Sequence, residues 1–266
     1  MPTRECDTLL RIKNYARVQS LKEAYELLMH KKSNVVLGGM LWLKMQNKTV
    51  HTAIDLQDLG LDTIEETENS WNIGCMVTLR DLELHPELHK LTHGAMADCV
   101  RPIVGVQFRN TATIGGSLYG RFGFSDLLPL FLALDAKVEL YRNGVLSLED
   151  FSQMSRTERD LLIRIIVPKA PRQVVYLAQR NSATDFPVLT CAVSCTGDDR
   201  RIVVGARPGK AVCLRDISMD DPQAAAEEAA ARLHFGSNLR GSDQYRQTIC
   251  RVLVRRALTA MQAQEV

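Results

Sequence analysis

No uninterrupted apolar run in these 266 residues approaches the roughly 18 that a bilayer-spanning helix needs, and the opening MPTRECDTLL has no signal-peptide h-region. A cytoplasmic protein without a membrane partner is the expectation. Charge of one sign is also missing. The 33 basic and 31 acidic residues leave a formal net charge of +2, which gives no electrostatic footprint for nucleic acid. The seven cysteines (Cys6, Cys75, Cys99, Cys191, Cys195, Cys213 and Cys250) are odd in number and scattered through apolar strings. CAVSC brings two of them close together, and no second pair stands at zinc or iron–sulfur spacing. Reduced, packing-type thiols are therefore expected, with no metal held by the chain itself. There is no low-complexity tract and no internal repeat beyond a pair of double-glycine turns. With 45% hydrophobic residues the chain is not disordered; its length supports one large unit or about two to three small ones with real cores.

What is present centres on those two turns. Val35, Val36 and Leu37 form a β-branched, apolar lead-in to Gly38 and Gly39, after which Met40 and Leu41 resume an apolar string. The second turn is Thr113, Ile114, Gly115, Gly116 and Ser117, followed by a polar, glycine-interrupted loop and then by Asp126, Pro129 and a leucine-rich run suited to a helix. Either pair alone reads as a tight turn. Together they offer backbone N–H groups from two sides, as a diphosphate requires, because a residue without Cβ lets the backbone approach an anion.

The rest of the chain supplies a scaffold. A helix is predicted over residues 18–31, with Ser20 and Glu23 as a capping box. Strands are predicted over 52–56, 70–77 and 160–167, and a helix is predicted to start at Thr78 and Asp81, with a further helical turn beginning at Pro86. His85, His89 and His93 recur every four residues and read as a solvated helix face or, alternatively, as a metal site. Arg142, Asn143 and Gly144 signal a type I′ hairpin. The sequence PKAP at 168–171 marks a boundary. Beyond it, three strands over 174–177, 189–195 and 201–206, and two helices over 222–233 and 242–262, make a small α+β unit.

The strings VVLGGMLWLKMQ, TAIDL, RNTATIGGSLYG, SDLLPLFLALDAKVEL and LRGSDQYRQTICRVLVRRAL, in that order, resemble the FAD-binding medium subunit of the molybdenum hydroxylase, or xanthine dehydrogenase, family, over essentially the whole chain. The resemblance implies an α+β fold. An FAD-binding domain of the vanillyl-alcohol-oxidase (PCMH) type would span 1–168, in two subdomains of about 1–60 and 61–168, followed by a three-stranded C-terminal domain over 172–266. It implies that Val36, Leu37, Gly38, Gly39, Met40 and Leu41 wrap the FAD diphosphate. Thr113, Ile114, Gly115, Gly116 and Ser117 would form a second flavin-binding loop, and Asp126 would anchor the ribose–phosphate side. Ile103 would lie near the flavin ring and Leu162 near the adenine or ribityl side.

The implied function is electron transfer within a complex. The implied partners are a molybdopterin-binding large subunit and a 2Fe-2S small subunit, with NAD among the candidate acceptors. A stand-alone flavin-dependent reductase or oxidase is the alternative, with Ser117, Tyr119 or Arg121 as its proton donor. No catalytic residue is assigned. The chain departs from the family pattern in three places. Ser117 stands where the family has Asn, the stretch from Tyr119 to Ser125 (YGRFGFS) replaces a run of small residues, and Leu177 stands where a lysine is common, three residues before Arg180. The aromatics and the arginine of YGRFGFS are suited either to stacking against a cofactor or partner or to a surface-packed loop.

Overall fold

Three sheets succeed one another along the chain in the computed structural model, which describes residues 9–170 and 172–263. The first is built from β1 (Arg11–Arg17), β2 (Val35–Val36) and β3 (Thr49–Asp55), in the order β1-β3-β2 and wholly parallel. Parallel neighbours need a crossover, and α1 (Leu21–His30) lies between β1 and β2. Its cap differs slightly from the predicted box. Ser20 Oγ accepts from the Glu23 N–H, but the Glu23 carboxylate reaches back one residue further, to the N–H of Gln19.

The second sheet takes β4 (Ile64–Glu66) and β5 (Ser70–Gly74), then receives β6 (Lys137–Leu140), β7 (Gly144–Ser147) and β8 (Leu162–Pro168), in the order β4-β5-β8-β6-β7 and wholly antiparallel. Between β5 and β6 run the short helices α2 (Leu79–Leu84), α3 (Pro86–Leu91), α4 (Ala95–Val100), α5 (Val106–Arg109), α6 (Ile114–Tyr119) and α7 (Leu127–Ala133), and α8 (Leu148–Gln153) follows β7. Thr78 and Asp81 cap α2 reciprocally, as their spacing predicts. The β6–β7 turn is not type I′. Gly144 alone in that turn has positive φ, at 68°, and Leu140 pairs with Gly144 across a three-residue loop. Asp160 explains the change, because its carboxylate accepts from the N–H groups of both Arg142 and Asn143 and holds them in the ordinary right-handed turn.

The third sheet has four strands rather than the expected three. To β9 (Gln173–Gln179), β10 (Leu189–Thr196) and β11 (Asp199–Gly205) it adds β12 (Val212–Leu214) at the edge, in the order β12-β11-β10-β9. A three-residue strand carries too little alternation to be visible in sequence, and its pairing with β11 creates it. Two helices, α9 (Pro222–Arg232) and α10 (Asp243–Gln262), pack on this sheet, with Ser242 capping α10 and Leu253 and Ala257 on its buried side.

Every residue of α7 is buried. It packs on β10, β11 and β12 of the third sheet and against α4, α6 and α8, and β10 and β11 satisfy its C-terminal carbonyls: Ser194 Oγ donates to Ala133 O at 2.6 Å, and Arg201 donates to Leu132 O at 3.2 Å. The main core accordingly runs from Val18 to Ala211 without interruption at the predicted boundary. Pro171 lies outside the described residues, as does Cys6. The six described cysteines are free thiols, and burial pushes those of Cys75 and Cys250 up to about 12.

His85, His89 and His93 do not form a common face. His85 caps α3 through Nδ1 and meets Trp71 edge-on, while His89 Nε2 bonds to Glu83 O. Among the described residues no group of three His, Cys, Asp or Glu side chains is placed to hold a metal ion, and no helix is long and apolar enough to cross a membrane.

Candidate cofactor site

The two double-glycine turns, 77 residues apart in sequence, meet. A Cβ on Gly38 would stand 2.8 Å from Thr113 Oγ1 and 3.5 Å from the Cα of Gly116. Each pair divides its work. Gly39 packs against backbone, where a Cβ would fall 1.9 Å from Thr111 O, and Gly115 does the same against Cys75 O at 2.5 Å. Gly116 has open space beyond Thr113 Oγ1. None of the four has positive φ, so at Gly39 and Gly115 glycine is required by close approach rather than by backbone angle. Thr113 caps α6, its hydroxyl accepting from the Gly116 N–H at 3.1 Å, and Ser117 Oγ donates back to Thr113 O at 2.9 Å.

The turns open on a cavity of about 850 Å³, within the span of about 300–1,000 Å³ usual for small-molecule and cofactor sites. Val36, Leu37, Gly38, Gly39, Met40, Leu41, Ile103, Thr113, Gly115, Gly116, Ser117, Asp126 and Leu162 all line it. Ile114 does not, because its side chain is fully buried in the main core beneath the loop. Asp126 is 8% exposed, and its Oδ1 accepts from the Tyr176 hydroxyl at 2.7 Å and from the Arg180 guanidinium. Burial pushes its pKa up, and Arg180 and Tyr176 oppose that shift.

Further residues line the cavity beyond those the resemblance assigns to the flavin. Arg159 holds the β2 side of the cavity by donating to Lys31 O and Asn34 O. Trp42, Phe108, Phe122, Phe124 and Phe186 line it as well, and Arg180, Thr184, Asp185 and Phe186 reach it from beyond β9. The aromatic Phe-x-Phe spacing at 122–124 was a visible signal. Phe186 had none, because its approach depends on how β9 and β10 are joined.

The cavity suits an FAD diphosphate. Among the described residues the N–H groups of Gly38, Gly39, Met40 and Leu41 donate to no protein acceptor, and unpaired donors beside a glycine-lined opening suit a polyanion.

Comparison with known proteins agrees. The family model described as the FAD binding domain in molybdopterin dehydrogenase matches residues 10–170. The Escherichia coli (strain K12) "Uncharacterized protein YgfM" is 31% identical over 252 residues, covering 91% of this chain and 94% of its own. The nicotine 6-hydroxylase medium subunit of Paenarthrobacter nicotinovorans is 27% identical, with 92% and 95% covered. In fold, a chain of the carbon monoxide dehydrogenase from Hydrogenophaga pseudoflava superposes with a TM-score of 0.83 at 24% identity, covering 95% of this chain and 98% of that one. The match to residues 10–170 extends over more than half of the chain and contains both glycine turns, so the protein belongs to the FAD-binding oxidoreductase subunits of the molybdopterin dehydrogenase, or molybdenum hydroxylase, family.

Proposed function

We propose that this chain is the electron-transfer subunit of a molybdenum hydroxylase complex. It would receive electrons from a 2Fe-2S small subunit, after a molybdopterin-binding large subunit has oxidised the substrate, and deliver them to NAD or another acceptor. The observation that carries this reading is the convergence of Gly38 and Gly116 on one cavity with unpaired backbone donors. Relatives named as medium subunits over nearly their full length support the placement in a complex.

Bound FAD supplies the junction between one-electron and two-electron transfer. The protein's part is to hold and orient it. Val36, Leu37, Gly38, Gly39, Met40 and Leu41 wrap the diphosphate with backbone, and Thr113, Gly115, Gly116 and Ser117 close on it from the other side, with Ile114 anchoring that loop in the core. Asp126 accepts from the ribose–phosphate side while Tyr176 and Arg180 fix its other oxygen. Ile103 borders the flavin ring, and Leu162 borders the adenine or ribityl side. The division into 1–168, with subdomains near 1–60 and 61–168, and 172–266 belongs to the same proposal.

One observation favours a subunit over a stand-alone reductase. Ser117 Oγ and the Tyr119 hydroxyl are already engaged, the first donating to Thr113 O and the second donating to and accepting from the Asp160 backbone, and Arg121 is not among the residues lining the cavity.

The test is to purify the full chain and record its visible spectrum, then to isolate it from its native host. A yellow protein that comes with molybdenum and iron–sulfur chains is the expected result. A colourless chain that FAD does not reconstitute would refute the cofactor role, and a flavoprotein isolated without such chains would refute the complex.

A further inference from the structure

The stretch from Tyr119 to Ser125, where the sequence departs from the family pattern, contributes two rings to a five-membered aromatic cluster. Phe122 and Phe124 stack on each other at 5.1 Å between centroids and 9° between planes. Trp42 stands 5.7 Å from Phe124 and stacks on Phe186 at 5.4 Å and 27°, while Phe108 meets Trp42 edge-on at 6.5 Å. Four of the seven phenylalanines and one of the two tryptophans are thus gathered from four separate stretches of chain. All five line the cavity and none is fully buried, whereas Phe131 and Phe151 are sealed in the core. Rings assembled to fill a core would be sealed like those two; these are left with accessible area on a cavity.

Another part of the lining has a different chemistry. From the Gly38–Gly116 contact the chain leads back to Val35 and Asn34, where Leu28, Leu56, Leu161 and Leu162 line the cavity and Arg159 fixes the backbone. A dinucleotide held at its diphosphate places one ring system on each side. An aliphatic slot suits a purine, and an electron-rich indole surrounded by phenyl rings suits the larger, electron-poor tricyclic ring.

Resting on the FAD reading above, we propose that Trp42, backed by Phe122, Phe124 and Phe186, is the face on which the isoalloxazine ring stacks. The indole then lies in contact with the ring, close enough to quench its emission.

The test uses the full chain and reads bound-flavin fluorescence and nucleotide affinity rather than turnover. With FAD bound, the wild-type chain is expected to emit weakly. Trp42→Phe keeps an aromatic ring in the cluster but removes the indole quencher, so its bound flavin should emit severalfold more brightly with visible absorbance retained. Trp42→Ala should weaken FAD binding by about tenfold, equivalent to about 1.4 kcal/mol, and leave ADP affinity unchanged. Bound FAD whose emission is unaltered by Trp42→Phe would overturn the inference. So would an equal loss of ADP and FAD affinity in Trp42→Ala, which would put adenine on the aromatic side. In either case the FAD reading survives, whereas a wild-type chain that takes up no FAD overturns both.

Discussion

At the scale of single residues, the four turn glycines make the sharpest distinction. Their presence was legible because glycine pairs interrupt apolar strings, but their division of labour was not, since the partners of Gly39 and Gly115 are backbone atoms far away in sequence. Gly39 and Gly116 therefore give opposite expectations. Gly39→Ala drives a Cβ to within 1.9 Å of Thr111 O, a backbone atom that cannot step aside. A stability loss of about 1–3 kcal/mol or more is expected, read from the urea midpoint. Gly116→Ala meets only the Thr113 hydroxyl at 3.2 Å, so its midpoint should move little while FAD affinity falls by about tenfold, about 1.4 kcal/mol. Equal stability losses in the two variants would show that Gly116 is a packing residue as well. Asp126 was legible as a helix-start residue, but its grip by Tyr176 and Arg180 was hidden, because both partners lie 50 or more positions along the chain.

At the scale of elements, local signals were reliable and pairings were not. The caps at Ser20, Thr78 and Ser242 form where their spacing puts them. The hairpin type and the fourth strand of the last sheet did not follow from local sequence, since Asp160 decides the first and pairing with β11 the second. Two ion-paired carboxylates carry testable weight. Glu83 on α2 holds Arg109 at the end of α5 at 2.7 Å, both nearly buried, and Arg109 in turn donates to Ile103 O on the cavity wall. Burial alone would push the Glu83 carboxyl up, but the hydrogen bonds from Arg109 and Arg80 outweigh it and its pKa falls. Glu83→Ala leaves a buried guanidinium without its carboxylate and should cost about 3–5 kcal/mol in denaturant unfolding. In the third sheet, Asp199 is held by Arg201 and Arg172, and the hydrogen bond from Arg201 takes the larger part in lowering its pKa from 3.8 to about 2. A carboxylate depressed in the folded state contributes stability that is complete above its unfolded pKa and is lost as pH falls through the folded one. The urea midpoint of the wild type should therefore drop between about pH 4 and pH 2, and Asp199→Asn should show a smaller drop over the same window. Identical pH profiles would remove Asp199 from the acid response.

At the scale of the whole molecule, the predicted boundary at 168–171 separates sheets but not cores. The change of texture after Pro168 is real in sequence, yet Val174, Tyr176, Ala192, Val203 and Ala211 belong to the same core as the second sheet, and α7 is buried in that core against β10 and β11. The cavity repeats the pattern, since its wall is completed by Arg180, Asp185 and Phe186 from beyond the boundary. A chain organised this way should unfold as one cooperative unit, because exposing either side of α7 strips apolar area from both, at about 25 cal/mol per Å². The check is urea unfolding of FAD-loaded protein followed by far-ultraviolet circular dichroism, tryptophan emission and flavin absorbance together. Trp71 lies in the second sheet and Trp42 on the cavity wall against Phe186, while α9 and α10 weigh heavily in the dichroism. Coincident transitions on all three signals are expected, and a fragment ending at residue 170 should expose the face of α7 that β10 and β11 cover and bind a hydrophobic dye. Two separated transitions, or a 1–170 fragment that is monomeric, dye-free and FAD-binding, would show that the third sheet is an independent domain and that Arg180, Asp185 and Phe186 only border the cofactor rather than complete its site.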